Sequence, residues 1–290
     1  MNQLTYPLFV SDIDGTLISS DQLIHDANLK VPDANLKSIE EFRRQGGLFT
    51  LATGRSYAEA KRLIEFLDIQ LPVILCNGGM LYHPKTDQLT PVATLEQTVV
   101  TEIISQLTSI VPSMDLLVYT TDRIYSTGLS PIVQAVLQSD FDTEDLMPLE
   151  NLASFADLPT VPWIKICVVG ENRWMKDLHK WADSTPFSLE VVQSSDNFFE
   201  ILPVGVSKGA AVVALAESLG LPPRSAAVIG DHMNDLSMTK VAGTSAAMAN
   251  AHPSLLQAAD HITLSNDEAG LSYFINNHLL STPVNIASER

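Results

Sequence analysis

The sequence predicts an α/β protein: a doubly wound, mostly parallel sheet with a second, α+β module inserted into it. Three observations predict this. Short apolar runs end abruptly in small or polar residues, as strands buried on both faces do. Helical patterns lie between those runs. The middle third changes character, to longer half-buried strands arranged as hairpins. At 290 residues the chain also reaches the size, roughly 250–300 residues, where one hydrophobic core stops growing, so two packed units are expected.

Taken in order, PLFV (7–10) runs into Ser11-Asp12 as the first buried strand. Residues 33–45 carry Leu36, Ile39 and Phe42 at helical spacing and stop at Gly46-Gly47. Strands follow at 48–52, ending in Thr53-Gly54-Arg55, and at 72–76, ending in Asn77-Gly78-Gly79, with a helix at 56–67 between them. DANLK occurs at 26–30 and again at 33–37; one short echo is no repeat architecture and reads as a helix start with its preceding loop. His83-Pro84 and Pro203-Val204-Gly205 have the breaker composition of linkers. They divide the chain into a core, 1–83 with 204–290, and an insert, 84–203. Inside the insert, helices are expected near 95–109 and 171–183 and strands at 114–120, 163–169, 189–193 and 197–202, the last two joined by a Ser194-Ser195-Asp196 turn. Lys165, set among apolar residues in WIKICVV, reads as an edge or face-alternating lysine or as one pointing into a cleft. The core resumes with a helix at 207–219, closed by Gly220, and a strand at 225–229 that runs into Gly230-Asp231.

Composition excludes several classes. With 34 acidic against 17 basic residues the formal net charge is −17, which disfavours nucleic acid and anionic membranes as partners. No apolar run approaches the ~20 residues of a membrane helix, and the first residues lack the basic start of a secretory signal. Cys76 and Cys167 both sit in apolar runs and read as buried, reduced thiols of a cytoplasmic protein.

The chemistry-bearing residues stand where strands end. Asp12 and Asp14 flank Ile13 on an extended segment, so their carboxylates share a side, and Gly15 lets the chain turn. Alone, D-x-D-G reads first as a turn with an Asp cap; a second acidic group changes that weighting. Asp231 and Asp235 lie one helical turn apart after another buried strand. Loops at the carboxyl edge of a parallel sheet converge, so the four carboxylates could surround one hard cation, and an oxygen-lined site that keeps waters suits Mg²⁺. Thr53 and the Gly54 backbone offer donors to phosphate oxygens. Lys208 opens a helix, where ammonium and dipole both favour an anion, although a lysine there is often merely solvated.

In that order, DIDGT (12–16), TGR (53–55), SKG (207–209) and GDHMND (230–235) resemble the four motifs of the haloacid dehalogenase-like hydrolase superfamily. Asn-Gly-Gly (77–79), FFEILPVGVSKG (198–209), MANAHP (248–253), SNDEAG (265–270) and the insert look like its Cof-type branch. The resemblance spans nearly the whole chain. It implies a Rossmann-like core with an inserted cap, and a cytoplasmic phosphatase that works with Mg²⁺ through an aspartyl-phosphate. Asp12 would be the nucleophile and Asp14 the general acid and base. Asp12, the Asp14 carbonyl and Asp231 would ligate Mg²⁺, with Asp235 orienting them from behind. Thr53, Gly54, Lys208 and Asn234 would hold the phosphoryl oxygens, while Arg55 and Asn77 are candidates for contacting substrate or backing the site. An Asp at position 14 goes with ester hydrolysis rather than dehalogenation in the family. Gly79, where the branch often has Ala, and the variable pair His232-Met233 are the departures; His232 reads as a solvated loop residue beside the metal. A sugar phosphomutase and a metabolite-sensing relative with weak catalysis are the alternative functions.

The insert holds 6 basic and 17 acidic residues, net −11, against −6 for the core. An acidic cap opposes anionic substrates, so singly phosphorylated, otherwise neutral metabolites are expected over polyphosphates and nucleotides.

Overall fold

The computed structural model describes residues 4–18, 31–111, 113–130, 133 and 147–280. The first DANLK copy, at 26–30, lies outside these. The core is a five-stranded sheet, all parallel, of β1 (Leu8–Ser11), β2 (Leu48–Leu51), β12 (Ala226–Gly230), β13 (Thr244–Ala247) and β14 (His261–Ile262), in the order β14-β13-β12-β1-β2. Helices cover both faces: α1 (Asp33–Arg44), α2 (Tyr57–Phe66), α5 (Lys208–Ser218), α6 (Leu236–Val241), α7 (Pro253–Ala258) and α8 (Gly270–Phe274). This is why β1 is apolar without alternation. Leu8 and Val10 pack with Val212 and Leu215 of α5. Phe9 points the other way and meets Phe42 of α1 edge-on, ring centroids 5.9 Å apart, and Phe274 of α8 at the same distance. Each such fully buried side chain contributes about 1.5–3 kcal/mol.

Beyond β2, an isolated parallel bridge between Ala52 and Ile74 attaches an antiparallel sheet of β3 (Val73–Leu75), β4 (Met80–His83) and β5 (Gln88–Pro91). The expected junction at His83-Pro84 falls inside the β4–β5 hairpin, so the chain stays beside the core until Pro91. It then builds a mixed sheet, order β10-β11-β9-β6-β7-β8, from β6 (Asp115–Tyr119), β7 (Ile124–Ser126), β8 (Leu149–Asn151), β9 (Lys165–Val169), β10 (Leu189–Ser195) and β11 (Phe198–Pro203). Only β7 and β8 pair in parallel. Helices α3 (Gln97–Ile110) and α4 (Met175–Ser184) cover one face, where Ile166, Val168, Phe199 and Ile201 form a core with them. The period-2 alternation then sends Leu117, Tyr119, Cys167 and Val169 to the other face, and these join the apolar cluster of the parallel-sheet domain. The two modules therefore share packing.

One sequence expectation is corrected here and one is narrowed. The hairpin turn is Asp196-Asn197, not Ser194-Ser195-Asp196, because β10 runs on through Ser195 with a register shift between Gln193 and Ser195. That shift accompanies a hydrogen bond from Ser194 Oγ to Glu200 Oε1 (2.6 Å). Of the two readings of Lys165 as an edge or a face-alternating residue, the second holds: β9 lies between β11 and β6, and Lys165 shares the face of Cys167 and Val169. Both cysteines are buried and free, as expected. Among the described residues no helix is long and apolar enough to cross a membrane.

Candidate active site

β1 and β12 are neighbours in register, Ser11 opposite Ile229, which brings the Asp12 and Asp231 turns together although 219 positions separate them in sequence. The Asp12 N–H still reaches the Ile229 carbonyl (3.1 Å), so this residue extends the pairing and is itself buried. Gly15 then adopts φ +65°, and a Cβ there would stand 2.3 Å from Asp231 Oδ2. Only glycine leaves the turn and the carboxylate their places. Thr16 Oγ1 donates to Asp231 Oδ1 (3.2 Å).

After β12 a single helical turn, Met233–Asp235, is anchored by its own aspartate: Asp235 Oδ2 accepts from the N–H groups of Asp231 (3.0 Å) and His232 (3.1 Å). Ser207 caps α5 by accepting from Ala210 N–H (3.1 Å), which fixes Lys208 as the first helical residue. The buried Lys208 Nζ lies 2.7 Å from both Asp12 Oδ1 and Asp235 Oδ1. Burial works against that ammonium, but the two carboxylates prevail and hold its pKa above the ordinary lysine value. Burial and the charge of Asp235 push Asp12 up to about 7, despite Lys208. Burial, then Asp12 and Asp235, also raise Asp231.

These features bear on a cation. Carboxylate oxygens of Asp12, Asp231 and Asp235 all lie within 4.8 Å of one another. Asp235 is committed to Lys208 and two backbone donors, whereas Asp12 Oδ2 and Asp231 Oδ2 accept no hydrogen bond among the described residues. An all-oxygen donor set whose ionised forms are destabilised by burial and mutual repulsion fits a hard divalent ion.

The Asp14 carboxylate does not join this cluster. It is exposed and turned toward Arg55, whose Nε and Nη2 donate to its two oxygens (2.8 and 2.5 Å). Desolvation raises its pKa, but the Arg55 charge and hydrogen bonds outweigh that and leave it below the ordinary carboxylate value. Thr53 is buried; its Oγ1 accepts from the Arg55 N–H (3.1 Å). Glu59 Oε2 accepts from Ser56 N–H (2.5 Å) and starts α2 directly behind this turn. A Cβ on Gly54 would stand 3.1 Å from Asn77 Nδ2 and 3.3 Å from Glu200 Oε1. Asn77, at φ 54°, accepts at Oδ1 from Asn234 Nδ2 (3.0 Å). Its own Nδ2 and the Asn234 Oδ1 are buried and find no partner among the described residues, which costs about 1–3 kcal/mol for each such group and marks a place for ligand or water. A cleft of about 230 Å³, lined by Asn77, Lys208 and Asn234 on the core side and by Gln193 of β10, opens beside them.

His232 is not simply solvated. Its Nδ1 lies 3.2 Å from the Gln193 carbonyl on β10, and its ring stands 5.5 Å from that of His252. Burial lowers its pKa. The residues missed in sequence are Thr16, Glu59 and Glu200. Of these, Glu200 had a signal, an acid inside the apolar run FFEILP.

The haloacid dehalogenase-like hydrolase family model matches residues 9–275. The chain is 31% identical to a Bacillus subtilis 5-amino-6-(5-phospho-D-ribitylamino)uracil phosphatase, YwtE, over 91% of this chain and 95% of that protein. A solved haloacid dehalogenase-like hydrolase from B. subtilis, 25% identical, superposes with a TM-score of 0.78 over 94% of this chain and all of that one. A subclass IIB sugar phosphatase superposes at 0.76, with 19% identity, over 92% and 96% of the two chains, a likeness of fold. The chain belongs to the haloacid dehalogenase-like hydrolase family. Within it, it is a phosphoric monoester hydrolase of the Cof-type branch.

Proposed function

We propose that this phosphatase hydrolyses singly phosphorylated, otherwise neutral small metabolites, sugar phosphates or similar monoesters, by way of phospho-Asp12. The observation that carries the reading is Asp12 itself: buried at the end of β1, one oxygen fixed by Lys208 and the other without a donor among the described residues. The free oxygen attacks phosphorus. Lys208 neutralises Asp12 and stands beside the transferring group, while Thr53, the Gly54 backbone and Asn234 donate to its oxygens. Asp12, Asp231 and the Asp14 carbonyl would hold Mg²⁺, with Asp235 orienting them, and the ion would supply charge neutralisation between carboxylate and phosphoryl group. Asp14 protonates the leaving oxygen and then deprotonates water. Paired with Arg55 it is ionised, which suits the second task; the first needs its release from the guanidinium. In this reading 1–83 and 204–290, with the β4–β5 hairpin, form the chemical domain, and the rest of 84–203 is the cap over the leaving group. The insert's net charge of −11 supports a preference for one phosphate over several, and the single phosphoribityl group in the name of YwtE is of that kind.

The test is phosphate release from a generic monoester with Mg²⁺ present. The wild type turns over, and Asp12→Asn loses at least roughly 1000-fold in kcat. Unchanged turnover in the variant removes Asp12 as nucleophile.

A further inference from the structure

The buried part of the cap-sheet face turned toward the core carries two charges, Lys165 on β9 and Glu200 on β11, each about 3% exposed. Lys165 Nζ donates to Glu200 Oε2 (2.6 Å) and lies 4.6 Å from the centre of the Tyr119 ring. Glu200 Oε1 is satisfied by Ser194. The ammonium makes one more hydrogen bond, and it crosses to the other module: the Gly54 carbonyl, at 3.0 Å.

That carbonyl belongs to a peptide held from both ends. Its N–H, on Arg55, donates to Thr53 Oγ1 (3.1 Å). Because Thr53 Oγ1 accepts there, its single proton is directed elsewhere. The same Arg55 carries the two bonds to Asp14. Rotating the Gly54–Arg55 peptide would thus redirect the Thr53 hydroxyl and the guanidinium together. A buried ion pair is a poor adhesive, since apolar residues of like volume would join the two modules at least as well. What lysine adds is a directional donor aimed at one carbonyl.

We propose that Lys165 is a positioning residue: seated with the cap, it fixes the Gly54–Arg55 peptide, and through it the Thr53 hydroxyl and the Arg55 clamp on Asp14, so cap closure completes the site. Glu200 and Ser194 hold the ammonium on its line. The inference rests on the phosphatase reading above.

The test compares the wild type with Lys165→Met/Glu200→Gln, which removes both charges, on p-nitrophenyl phosphate with Mg²⁺. The expected result is a folded variant whose kcat falls about 10- to 100-fold, with KM changed less than about twofold. Wild-type kcat in the folded variant overturns the proposal. So does a rise in KM alone, which would make Lys165 a substrate-binding group. If that variant does not fold, Lys165→Met/Glu200→Met, the apolar replacement, takes its place with the same outcomes. If the wild type itself releases no phosphate, the phosphatase reading fails, and the positioning is read from hydrogen exchange at the Arg55 amide. The folded variant then exchanges about tenfold faster or more; unchanged exchange overturns the proposal.

Discussion

Lys208→Met keeps the length of the side chain and removes the one cation shared by two buried carboxylates. Its Nζ stands 2.7 Å from each. At an effective dielectric of about 20, each contact supplies roughly 6 kcal/mol of attraction, most of it offset by desolvating three charged groups. Deleting one partner leaves the others' desolvation uncompensated, so the expected loss of stability is about 3–5 kcal/mol. The loss depends on pH in a definite sense. Asp12 has a folded-state pKa raised to about 7 from an ordinary 3.8. A carboxyl raised in this way contributes most below its unfolded value and loses that contribution as pH rises through its folded value. Lys208 stays protonated throughout this range. The penalty is therefore largest at pH 8, where Asp12 must remain ionised beside Asp235, and smaller at pH 5, where it takes up a proton. Urea unfolding in EDTA at the two pH values measures both quantities. A loss under about 1 kcal/mol at pH 8 would refute the reasoning, since it is the value of an exposed pair, as would equal losses at pH 5 and pH 8.

Gly15→Ala places a Cβ 2.3 Å from Asp231 Oδ2 at a φ of +65°. The backbone cost is about 1–2 kcal/mol, and displacement of the carboxylate should weaken Mg²⁺ binding by roughly 10- to 100-fold. Calorimetric titration with Mg²⁺ reads this, and unchanged affinity would mean that Asp231 does not hold the ion. Burial pushes the Cys76 thiol up to about 12 and raises Cys167 as well, so neither is a thiolate at pH 8. Ellman's reagent should modify less than about a tenth of a thiol per native chain within minutes and both in guanidinium; prompt native reaction would place them outside the core.

The strands most legible in the sequence are those buried on both faces. β1, β2 and β12 announce themselves by apolar runs that stop at polar turns. β13, Thr-Ser-Ala-Ala, is buried throughout but has no such signature, because its residues are small or polar and its place is fixed by pairing with β12 and β14. β8, Leu-Glu-Asn, is a strand solely through its pairing with β7. The site divides in the same way. Asp12, Thr53, Lys208 and Asp231 each stand at an element's end, where local pattern marks them. The Asp14–Arg55 clamp and the Lys165–Glu200 pair join residues 41 and 35 positions apart, and only strand register decides that they meet. Lys165 and Glu200 were each visible as a charge in an apolar run, but nothing local named one as the other's partner.

The central place of β1 also has a temporal meaning. It pairs with β2 on one side and β12 on the other, yet β12 is synthesised more than two hundred residues later. At translation rates of about 5–20 residues per second, that is an interval of roughly 10–40 s. Throughout it the nascent chain carries an apolar strand with one edge unpaired, the feature that invites wrong partners and chaperones alike. Asp12 is made 196 residues before the Lys208 that comes to hold it.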